Sequence, residues 1–286
     1  YPIYEQSWYM GDYSLQKNDI ILKEDIIFSW EDTNSQYIPK YGGSLQAVSK
    51  SNMIKVFPND EVSLKEEKSR SGSGFLLSDD GYVVTNYHVI KGKDTVIVNF
   101  PSLNLSKEAS VLLKDKKNDI AILSLIDFNY NDFFKIDIPY NLGEISNVKS
   151  AQEVFTIGFP LGDMMGKTPR FSEGSINSLY GLDDDAAQFQ ISVPLQPGNS
   201  GGALFNKNGE LIGIVVSGLD AKLFNDYLGI IPQNVNFAIK INYLKNLITM
   251  LPNSKKIINR NSYIENLSQE EKVENLIPFI VQIVKK

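Results

Sequence analysis

A serine, a histidine and an aspartate in this sequence could together convert a hydroxyl group into a nucleophile. Ser200 lies in the stretch LQPGNSGGALFN, which contains the pattern G-x-S-x-G. His88 is the only histidine of the chain, and Asp119 lies between the two in KNDIAIL. A serine hydroxyl is a weak nucleophile at neutral pH and needs a base in hydrogen-bond reach, which His88 can supply. A carboxylate fixes the tautomer of such a histidine, and Asp119 suits that role because it opens an apolar run.

The order of these residues along the chain separates two catalytic designs that share the serine pattern. In the nucleophile elbow of α/β-hydrolases the histidine follows the serine. Here His88 precedes Ser200 and Asp119 lies between them, which is the order of the chymotrypsin design. The subtilisin order would require the acid upstream of His88, and the sequence offers none of the helices of that fold. Each residue alone is more often structural, so the catalytic interpretation rests on their order and strand context together.

The loop around the serine is predicted to form an oxyanion hole. In the chymotrypsin design, backbone N–H groups beside the serine bind the developing negative charge. We expect this loop to be Gly198, Asn199 and Ser200, with the N–H groups of Gly198 and Ser200 as donors. Glycine at position 198 lets the substrate carbonyl approach closely, because it has no side chain.

Composition excludes several other functions. The chain has 286 residues with 42% hydrophobic content, enough for one large or two small domains. A net charge of -6 argues against nucleic acid or an anionic membrane as the main partner, since both need a basic face. There is no cysteine, which excludes disulfides and a thiol nucleophile, and one histidine makes a zinc site improbable. We therefore expect no metal, no cofactor and, because the apolar runs are short, no membrane span.

From about residue 46 onward the sequence consists of short apolar or alternating runs separated by turn residues. Asp80-Gly81 and Asn208-Gly209 are strong hairpin signals between strand-like flanks. The strand-like runs are GFLLSDDGYVVTNY, DTVIVNF, NDIAILSL, EVFTIGF, AQFQISV, GALFNKNGELIGIVV and VNFAIKI. Many short strands without helical periodicity between them predict an all-β protein, as barrels or a sandwich.

Helices are predicted only near the C-terminus. The segment NYLKNLITML, at 242–251, places its large apolar residues on one helical face. Ser268 followed by Glu271 forms a capping-box signature, and Pro278 should end the helix that it starts. The run FIVQIV, at 279–284, then reads as one more strand.

Six motifs give the sequence a resemblance to the bacterial trypsin-like serine proteases of the HtrA (Deg) type. They are SGSGFLLSDDGYVVTNYHVI, NDIAILSL, IGFPLG, SEGSI, LQPGNSGGALFNKNGELIGI and VNFAIKI. The resemblance implies two perpendicular six-stranded antiparallel β-barrels of the chymotrypsin type. The first would carry His88 and Asp119 and the second Ser200, with the active site in the cleft between them. It further implies a serine endopeptidase that acts on protein or peptide substrates.

The resemblance divides the chain into four regions. These are an N-terminal extension (1–45), an N-terminal barrel (46–140), a C-terminal barrel with its following helix (141–251), and a C-terminal extension of helix and strand (252–286). Two features depart from the family. The 39 residues after position 247 are too few for the usual PDZ domain. Val216 stands where secretory trypsin-like enzymes place a serine that supports the triad acid, so that support must come from elsewhere.

The predicted S1 pocket, which receives the substrate side chain before the cleaved bond, is apolar. Its floor is Pro194, flanked by Val193 and Leu195, because the residue about six positions before the serine occupies the floor in this design. Its other wall is Val215, Val216, Ser217 and Gly218, which we expect to pair with an extended substrate as an added strand. This pocket favours Val, Ile, Ala or Leu, unless Asp220 or Asp226 folds in and supplies a charge.

The remaining expectations concern partners, location and an alternative function. The aromatic-rich residues 1–45, with a strand-like stretch at 19–30, either pack on the body as an extra layer or serve as an oligomerisation arm. A chain that begins at Tyr1 rather than Met is consistent with a removed signal peptide and equally with a truncated sequence, and we favour a periplasmic or secreted location slightly over the cytoplasm. The alternative to a protease is a catalytically silent double barrel that acts as a binding module or scaffold.

Overall fold

The computed structural model describes residues 71–162, 166–216 and 235–285, together with four short strands nearer the N-terminus. By its internal contacts the chain divides into two units, residues 1–67 and 68–286. The two β-barrels belong to the second unit. Among the described residues, no helix combines the length and the apolar character that crossing a bilayer requires.

The first unit contains two antiparallel strand pairs. Strand β1 (Asp19–Leu22) pairs with β2 (Ile26–Ser29), and β3 (Gln36–Tyr37) pairs with β4 (Val48–Ser49). The strand-like stretch predicted at 19–30 is therefore a hairpin. Whether residues 1–45 form an oligomerisation arm stays a prediction.

The first barrel is a closed sheet of six antiparallel strands. They are β5 (Gly72–Leu76), β6 (Tyr82–Thr85), β7 (Thr95–Phe100), β8 (Leu105–Asp115), β9 (Ile120–Leu125) and β16 (Ile280–Lys285). They close in the order β16-β5-β6-β9-β8-β7. In β7 every second residue is buried, at Val96, Val98 and Phe100, as a strand with one face on a core requires. The hairpin predicted at Asp80-Gly81 joins β5 to β6.

The sixth strand of this barrel comes from the far end of the chain. Strand β16 lies between β5 and β7 and is antiparallel to both, with Val281 opposite Gly74 and Ile283 opposite Val98. The strand predicted at 279–284 is confirmed, but its place differs from the predicted boundaries, which put it in a separate extension. Its first four residues are buried, so leaving it out would expose apolar surface and open two sheet edges.

The second barrel also closes from six antiparallel strands. They are β10 (Glu153–Gly158), β11 (Arg170–Ser178), β12 (Gln188–Ile191), β13 (Ala203–Asn206), β14 (Leu211–Val216) and β15 (Asn236–Lys240). Their order is β10-β11-β12-β15-β14-β13. The turn predicted at Asn208-Gly209 joins β13 to β14, and the Asn206 side-chain oxygen accepts hydrogen bonds from the N–H groups of Asn208 and Glu210. The predicted fold of two six-stranded barrels is confirmed.

A chain of aromatic rings connects the two barrels. Tyr140, in the connection between them, has its ring centroid 6.4 Å from that of Phe75 and 5.3 Å from that of Phe205. Phe205 in turn lies 5.4 Å from Phe155 of β10. Such pairs contribute about 0.5–1.5 kcal/mol each beyond their burial. Packed aromatic side chains therefore hold the two barrels in a fixed relative orientation. Loops that lie between the barrels keep their positions only if this orientation is fixed.

Five helices accompany the barrels in the described residues. They are α1 (Tyr87–Ile90), α2 (Tyr130–Phe133), α3 (Ile241–Ile248), α4 (Ser254–Ile258) and α5 (Gln269–Leu276). Helix α3 is the helix predicted at 242–251. Helix α5 begins with the predicted capping box, in which Ser268 and Glu271 each accept a hydrogen bond from the other's backbone N–H. A 3-10 turn at Ile277–Phe279 then leads into β16.

Arg260, between α4 and α5, binds the C-terminal segment to the region where the two barrels meet. Its Nε donates to the Tyr140 carbonyl (2.7 Å) and its Nη1 to the Leu77 carbonyl (2.8 Å). The guanidinium also lies 5.0 Å from the centroid of the Tyr140 ring. Burial lowers the pKa of Arg260 and raises the pKa of Tyr140, because it disfavours the charged form of each.

Replacing Arg260 with methionine should lower the free energy of unfolding by about 3 kcal/mol, because two carbonyls lose charge-assisted hydrogen bonds. Urea titration followed by far-UV circular dichroism would measure this change in the free energy of unfolding. Lys255→Met, at an exposed position of α4, is the matched control and should change stability by less than about 0.5 kcal/mol. Equal unfolding midpoints for the two variants would contradict the role given to Arg260.

Candidate active site

His88 is the second residue of the single-turn helix α1, which begins two residues after β6 ends. Two groups just before it bind the same carbonyl, that of Asp119. The Asn86 side chain donates to it at 2.9 Å and the Tyr87 N–H at 3.1 Å. The start of α1 is therefore tied to the start of β9, although the two are distant in sequence.

The His88 and Asp119 side chains form a close pair. His88 Nδ1 lies 2.6 Å from Asp119 Oδ2, and the backbone N–H of His88 donates to Asp119 Oδ1 at 2.8 Å. A carboxylate can only accept, so Nδ1 carries the proton and the neutral imidazole keeps its lone pair on Nε2. The His88 side chain is 46% exposed and that of Asp119 28%, so the imidazole can reach a substrate while the acid is more shielded.

The support that Asp119 needs in place of a serine at position 216 comes from His88 itself. The backbone N–H of His88 occupies one carboxylate oxygen while its ring occupies the other. Asp119 adopts a left-handed backbone conformation with φ of 55°, which aspartate tolerates better than most residues. Asp119 is thus held at both of its carboxylate oxygens and at its backbone carbonyl.

Ser200 lies in the loop between β12 and β13, and this loop packs directly on the first barrel. A Cβ added at Gly201 would lie 2.3 Å from the Ser73 carbonyl oxygen and 2.9 Å from the Asn86 backbone nitrogen. Only glycine allows that approach. The residue after Ser200 therefore contacts the same strand end that carries His88.

The loop residues predicted for the oxyanion hole are held in a defined arrangement. Gly198 has φ of 101°, a region that glycine occupies without strain. The Asn199 N–H donates to the Gln196 carbonyl at 3.0 Å, so it is committed to a turn. Within the described part of the chain, the N–H of Gly198 has no acceptor. Asn199 is therefore bonded within the loop, and the N–H groups of Gly198 and Ser200 stay the predicted oxyanion donors.

The residues predicted for the pocket floor occupy three different environments. Val193 is fully buried in the core of the second barrel, and its carbonyl accepts from the Asn236 side chain at 2.8 Å. Its side chain therefore belongs to the barrel core and is not exposed at the surface. Pro194 is exposed, and Leu195 is half-buried against the same core.

The predicted second wall differs from expectation at Val215. Both backbone groups of Val215 bind the serine loop, since its N–H donates to the Gly202 carbonyl (2.9 Å) and its carbonyl accepts from Gly201 (3.0 Å). Val215 therefore holds the loop and cannot pair with a substrate strand. Val216, the next residue, is half-buried. Ser217 and Gly218 lie outside the described residues, as do the alternative pocket charges Asp220 and Asp226.

Sequence reasoning missed Ser73, which contacts the serine loop at two points. Its N–H donates to the Ser200 carbonyl at 2.8 Å and its hydroxyl donates to the Gly198 carbonyl at 2.7 Å. The available signal was the pair of glycines that flank it, because glycine inside a strand pattern indicates a close backbone approach. A Cβ added at Gly72 would lie 2.5 Å from the Val89 side chain and 3.2 Å from the Ser200 carbonyl oxygen.

Two closed six-stranded barrels, with these residues where the barrels meet, define a chymotrypsin-like peptidase fold. A family model described as a trypsin-like peptidase domain matches residues 72–214. The chain therefore belongs to the trypsin-like peptidase family.

Its relatives include proteins named as probable periplasmic serine endoproteases of the DegP-like type. The one from Halomonas elongata is 34% identical over 197 residues, which are 67% of this chain and 37% of that protein. The one from Hahella chejuensis is 32% identical over 187 residues, 65% of this chain and 36% of that protein. A protein of Sinorhizobium fredii, y4bJ, is 38% identical over 176 residues, 62% of this chain and 26% of that protein. The chain thus spans about a quarter to just over a third of these relatives' lengths, and the predicted HtrA (Deg) resemblance is confirmed.

Proposed function

We propose that this protein is a serine endopeptidase that cleaves unfolded or extended protein chains through an acyl-enzyme intermediate. Ser200 is the nucleophile, His88 the general base and Asp119 the residue that orients and stabilises the imidazole. The observation that carries the proposal is the 2.6 Å contact between His88 Nδ1 and Asp119 Oδ2, at the strand end against which the Ser200 loop packs. Membership of the peptidase family and the names of the relatives support the same class of reaction.

In the first half of the proposed reaction, Ser200 Oγ attacks the carbonyl carbon of the scissile peptide bond. Its proton passes to His88 Nε2, and the imidazolium that forms is stabilised by Asp119. The carbonyl oxygen becomes an oxyanion, for which the N–H groups of Gly198 and Ser200 are the proposed donors. The C–N bond then breaks, His88 gives the proton to the leaving amine, and an ester joins Ser200 to the acyl half of the substrate.

The second half repeats these steps with water. His88 takes a proton from the water as its oxygen attacks the ester carbon, and the same N–H groups bind the new oxyanion. The intermediate collapses by breaking the bond to Ser200 Oγ, which regains its proton from His88. The products are a carboxylic acid and the restored enzyme, so the cycle needs no cofactor or metal.

Labelling with a fluorophosphonate probe tests the nucleophile directly. The probe forms a bond to a serine Oγ only where a base and an oxyanion site activate that serine, so we expect one adduct, located on Ser200 by peptide mass spectrometry. Ser200→Ala should remain unlabelled, while Ser192→Ala, a half-buried serine of the same barrel, should label normally. Absence of any adduct on the folded wild-type protein would favour the alternative, a catalytically silent double barrel that serves as a scaffold.

We expect the cleavage sites of the enzyme to follow small and medium apolar residues. The exposed Pro194 and half-buried Leu195 carry no charge, and an unpaired Lys or Arg side chain desolvated there would cost several kcal/mol. An apolar side chain instead gains about 0.8 kcal/mol for each buried methylene. Val, Ile, Ala and Leu should therefore dominate a proteomic cleavage-site profile, with Ser200→Ala as its control. A profile dominated by Lys or Arg would reject this pocket and direct mutagenesis to Asp220 and Asp226.

The location and assembly of the protein are also proposals. We propose a periplasmic or secreted location, which the printed names of the DegP-like relatives support. Protein or peptide substrates are the proposed partners, and residues 1–45 remain the candidate segment for assembly into a homo-oligomer. Fractionation of cells that produce the protein would test its location, and sedimentation of the protein with and without residues 1–45 would test its assembly.

A further inference from the structure

Ser73 lies where the two barrels meet, and all of its polar groups bind neighbours. It is the second residue of β5 and is fully buried. Its hydroxyl accepts from the Phe159 N–H at 2.9 Å and donates to the Gly198 carbonyl at 2.7 Å. Its backbone N–H donates to the Ser200 carbonyl at 2.8 Å, and its carbonyl accepts from the Thr85 hydroxyl at 2.7 Å. One residue of the first barrel therefore contacts the serine loop, β6 and the end of β10.

The carbonyl groups of residues 197–200, around the serine, all have partners, and Ser73 supplies two of the four. The carbonyls of Gly198 and Ser200 accept from Ser73. The Pro197 carbonyl accepts from the Leu161 N–H at 2.6 Å, and the Asn199 carbonyl from the Gly202 N–H at 3.0 Å. The orientation of each peptide plane in this loop is thus set by what its carbonyl binds.

These bonds also orient the N–H groups of the loop. In a trans peptide the N–H points to the side opposite the carbonyl, and the described residues contain no cis bond. The carbonyl of Gly198, bound by the Ser73 hydroxyl, shares its plane with the Asn199 N–H, which reaches the Gln196 carbonyl. The planes on either side, which carry the Gly198 and Ser200 N–H groups, join this plane at Gly198 and Asn199 and are bound at their own carbonyls, as described above.

The loop needs such restraint because its own sequence provides little. Glycine populates positive and negative φ about equally, and Gly198 and Gly201 both have positive φ, 101° and 87°. A loop with glycines at these positions can rotate its peptide planes at low cost. The plane between the two candidate donors is held at its N–H by the Gln196 carbonyl, within the loop, and at its carbonyl by the Ser73 hydroxyl, which is the restraint that the first barrel supplies.

We propose that Ser73 is a positioning residue, whose hydroxyl holds the Gly198–Asn199 peptide so that the N–H groups of Gly198 and Ser200 converge on the oxyanion. The proposal rests on the endopeptidase function proposed above. It adds a residue that touches neither substrate nor reacting atoms and acts through the loop. The hydroxyl suits this task because it accepts from the Phe159 N–H, just after β10, and at the same time donates to the Gly198 carbonyl of the serine loop.

The test compares Ser73→Ala with wild type on a peptide substrate of the cleavage preference found for the wild-type enzyme. We expect kcat to fall about 10–100-fold with KM within about threefold, because donors displaced from the oxyanion weaken transition-state binding more than substrate binding. Affinity for a peptide aldehyde, which forms a tetrahedral adduct with the serine, should fall in parallel with kcat. Ser73→Thr retains the hydroxyl and should keep kcat near the wild-type value.

Tyr140→Phe is the matched control for simple destabilisation. It removes a fully buried hydroxyl that donates to the Leu76 carbonyl of the same strand, β5, away from the serine loop. It should lower Tm about as much as Ser73→Ala does while leaving kcat unchanged. An equal loss of kcat in both variants, or wild-type kcat in Ser73→Ala, would overturn the proposal.

Deuterium exchange separates failure of this proposal from failure of the proposed function. The Asn199 and Gly202 amides are bonded within the loop, so in Ser73→Ala they should exchange at least about tenfold faster, and in Tyr140→Phe at the wild-type rate. This readout needs no activity. If wild type cleaves nothing, the endopeptidase function fails, and faster exchange in Ser73→Ala would still support the positioning role. Unchanged exchange in Ser73→Ala would overturn that role whether or not the protein is an enzyme.

Discussion

Ser200→Ala should reduce kcat by about 10⁴-fold or more, with a comparatively small change in KM. Alanine removes the atom proposed to form the acyl-enzyme, while the loop and the apolar pocket residues proposed to bind the oxyanion and the substrate remain. His88→Ala should cost about as much, because no other histidine of the chain can replace the base. Steady-state kinetics on a fluorogenic peptide, with burst-phase titration of active sites, would measure both effects.

The loss should also be non-additive among the three residues. Removing the base from an enzyme that already lacks its nucleophile leaves nothing for the base to activate, so His88→Ala in the Ser200→Ala background should change kcat by less than about threefold. Asp119→Asn should by itself lower kcat strongly. The asparagine amide that then faces His88 Nδ1 can donate as well as accept, so it no longer selects the imidazole tautomer with its lone pair on Nε2. A matched control is Asp115→Asn, which removes a carboxylate from a turn at the end of β8. Additive losses, or turnover by Ser200→Ala near the wild-type value, would refute the assignment.

Deleting residues 280–286 should abolish cooperative folding of the first barrel and, with it, any activity. The deletion removes Ile280, Val281 and Ile283, which are fully buried, and burying three such side chains contributes about 5–9 kcal/mol. That is comparable to the whole stability of a typical domain. It also leaves β5 and β7 as open edges, and β5 carries Ser73. Circular dichroism during urea titration would show the loss of the cooperative transition.

A pair of point variants separates the role of the strand from the effect of shortening the chain. Val281→Asp would bury a carboxylate in the barrel core and should destabilise the protein by more than about 4 kcal/mol. Val284→Asp, in the same strand but half-buried, should cost about 1 kcal/mol. A synthetic peptide of residues 279–286, added to the deleted protein, should restore structure by taking the vacant strand position. A deleted protein with wild-type unfolding behaviour would show that β16 is not part of the barrel in solution.

The sequence by itself determined the residue types of the candidate site, their order along the chain and the local elements around them. His88, Asp119 and Ser200 could be selected because only a few side chains can perform this chemistry and the histidine has no competitor. Hairpins at Asp80-Gly81 and Asn208-Gly209, and the capped helix α5, were predictable because a turn or a cap is decided by residues within a few positions of each other.

Only the tertiary structure decided which distant elements meet. The run FIVQIV is recognisable as a strand from its composition, but its pairing with β5 and β7 joins residues about 200 positions apart, which no local periodicity encodes. The same holds for Val215, whose backbone groups bind the serine loop instead of a substrate, and for Ser73, whose hydroxyl reaches across the junction of the barrels. A hydrogen bond depends on distance and direction in space, so its partners become known only when closure of both barrels has brought them together.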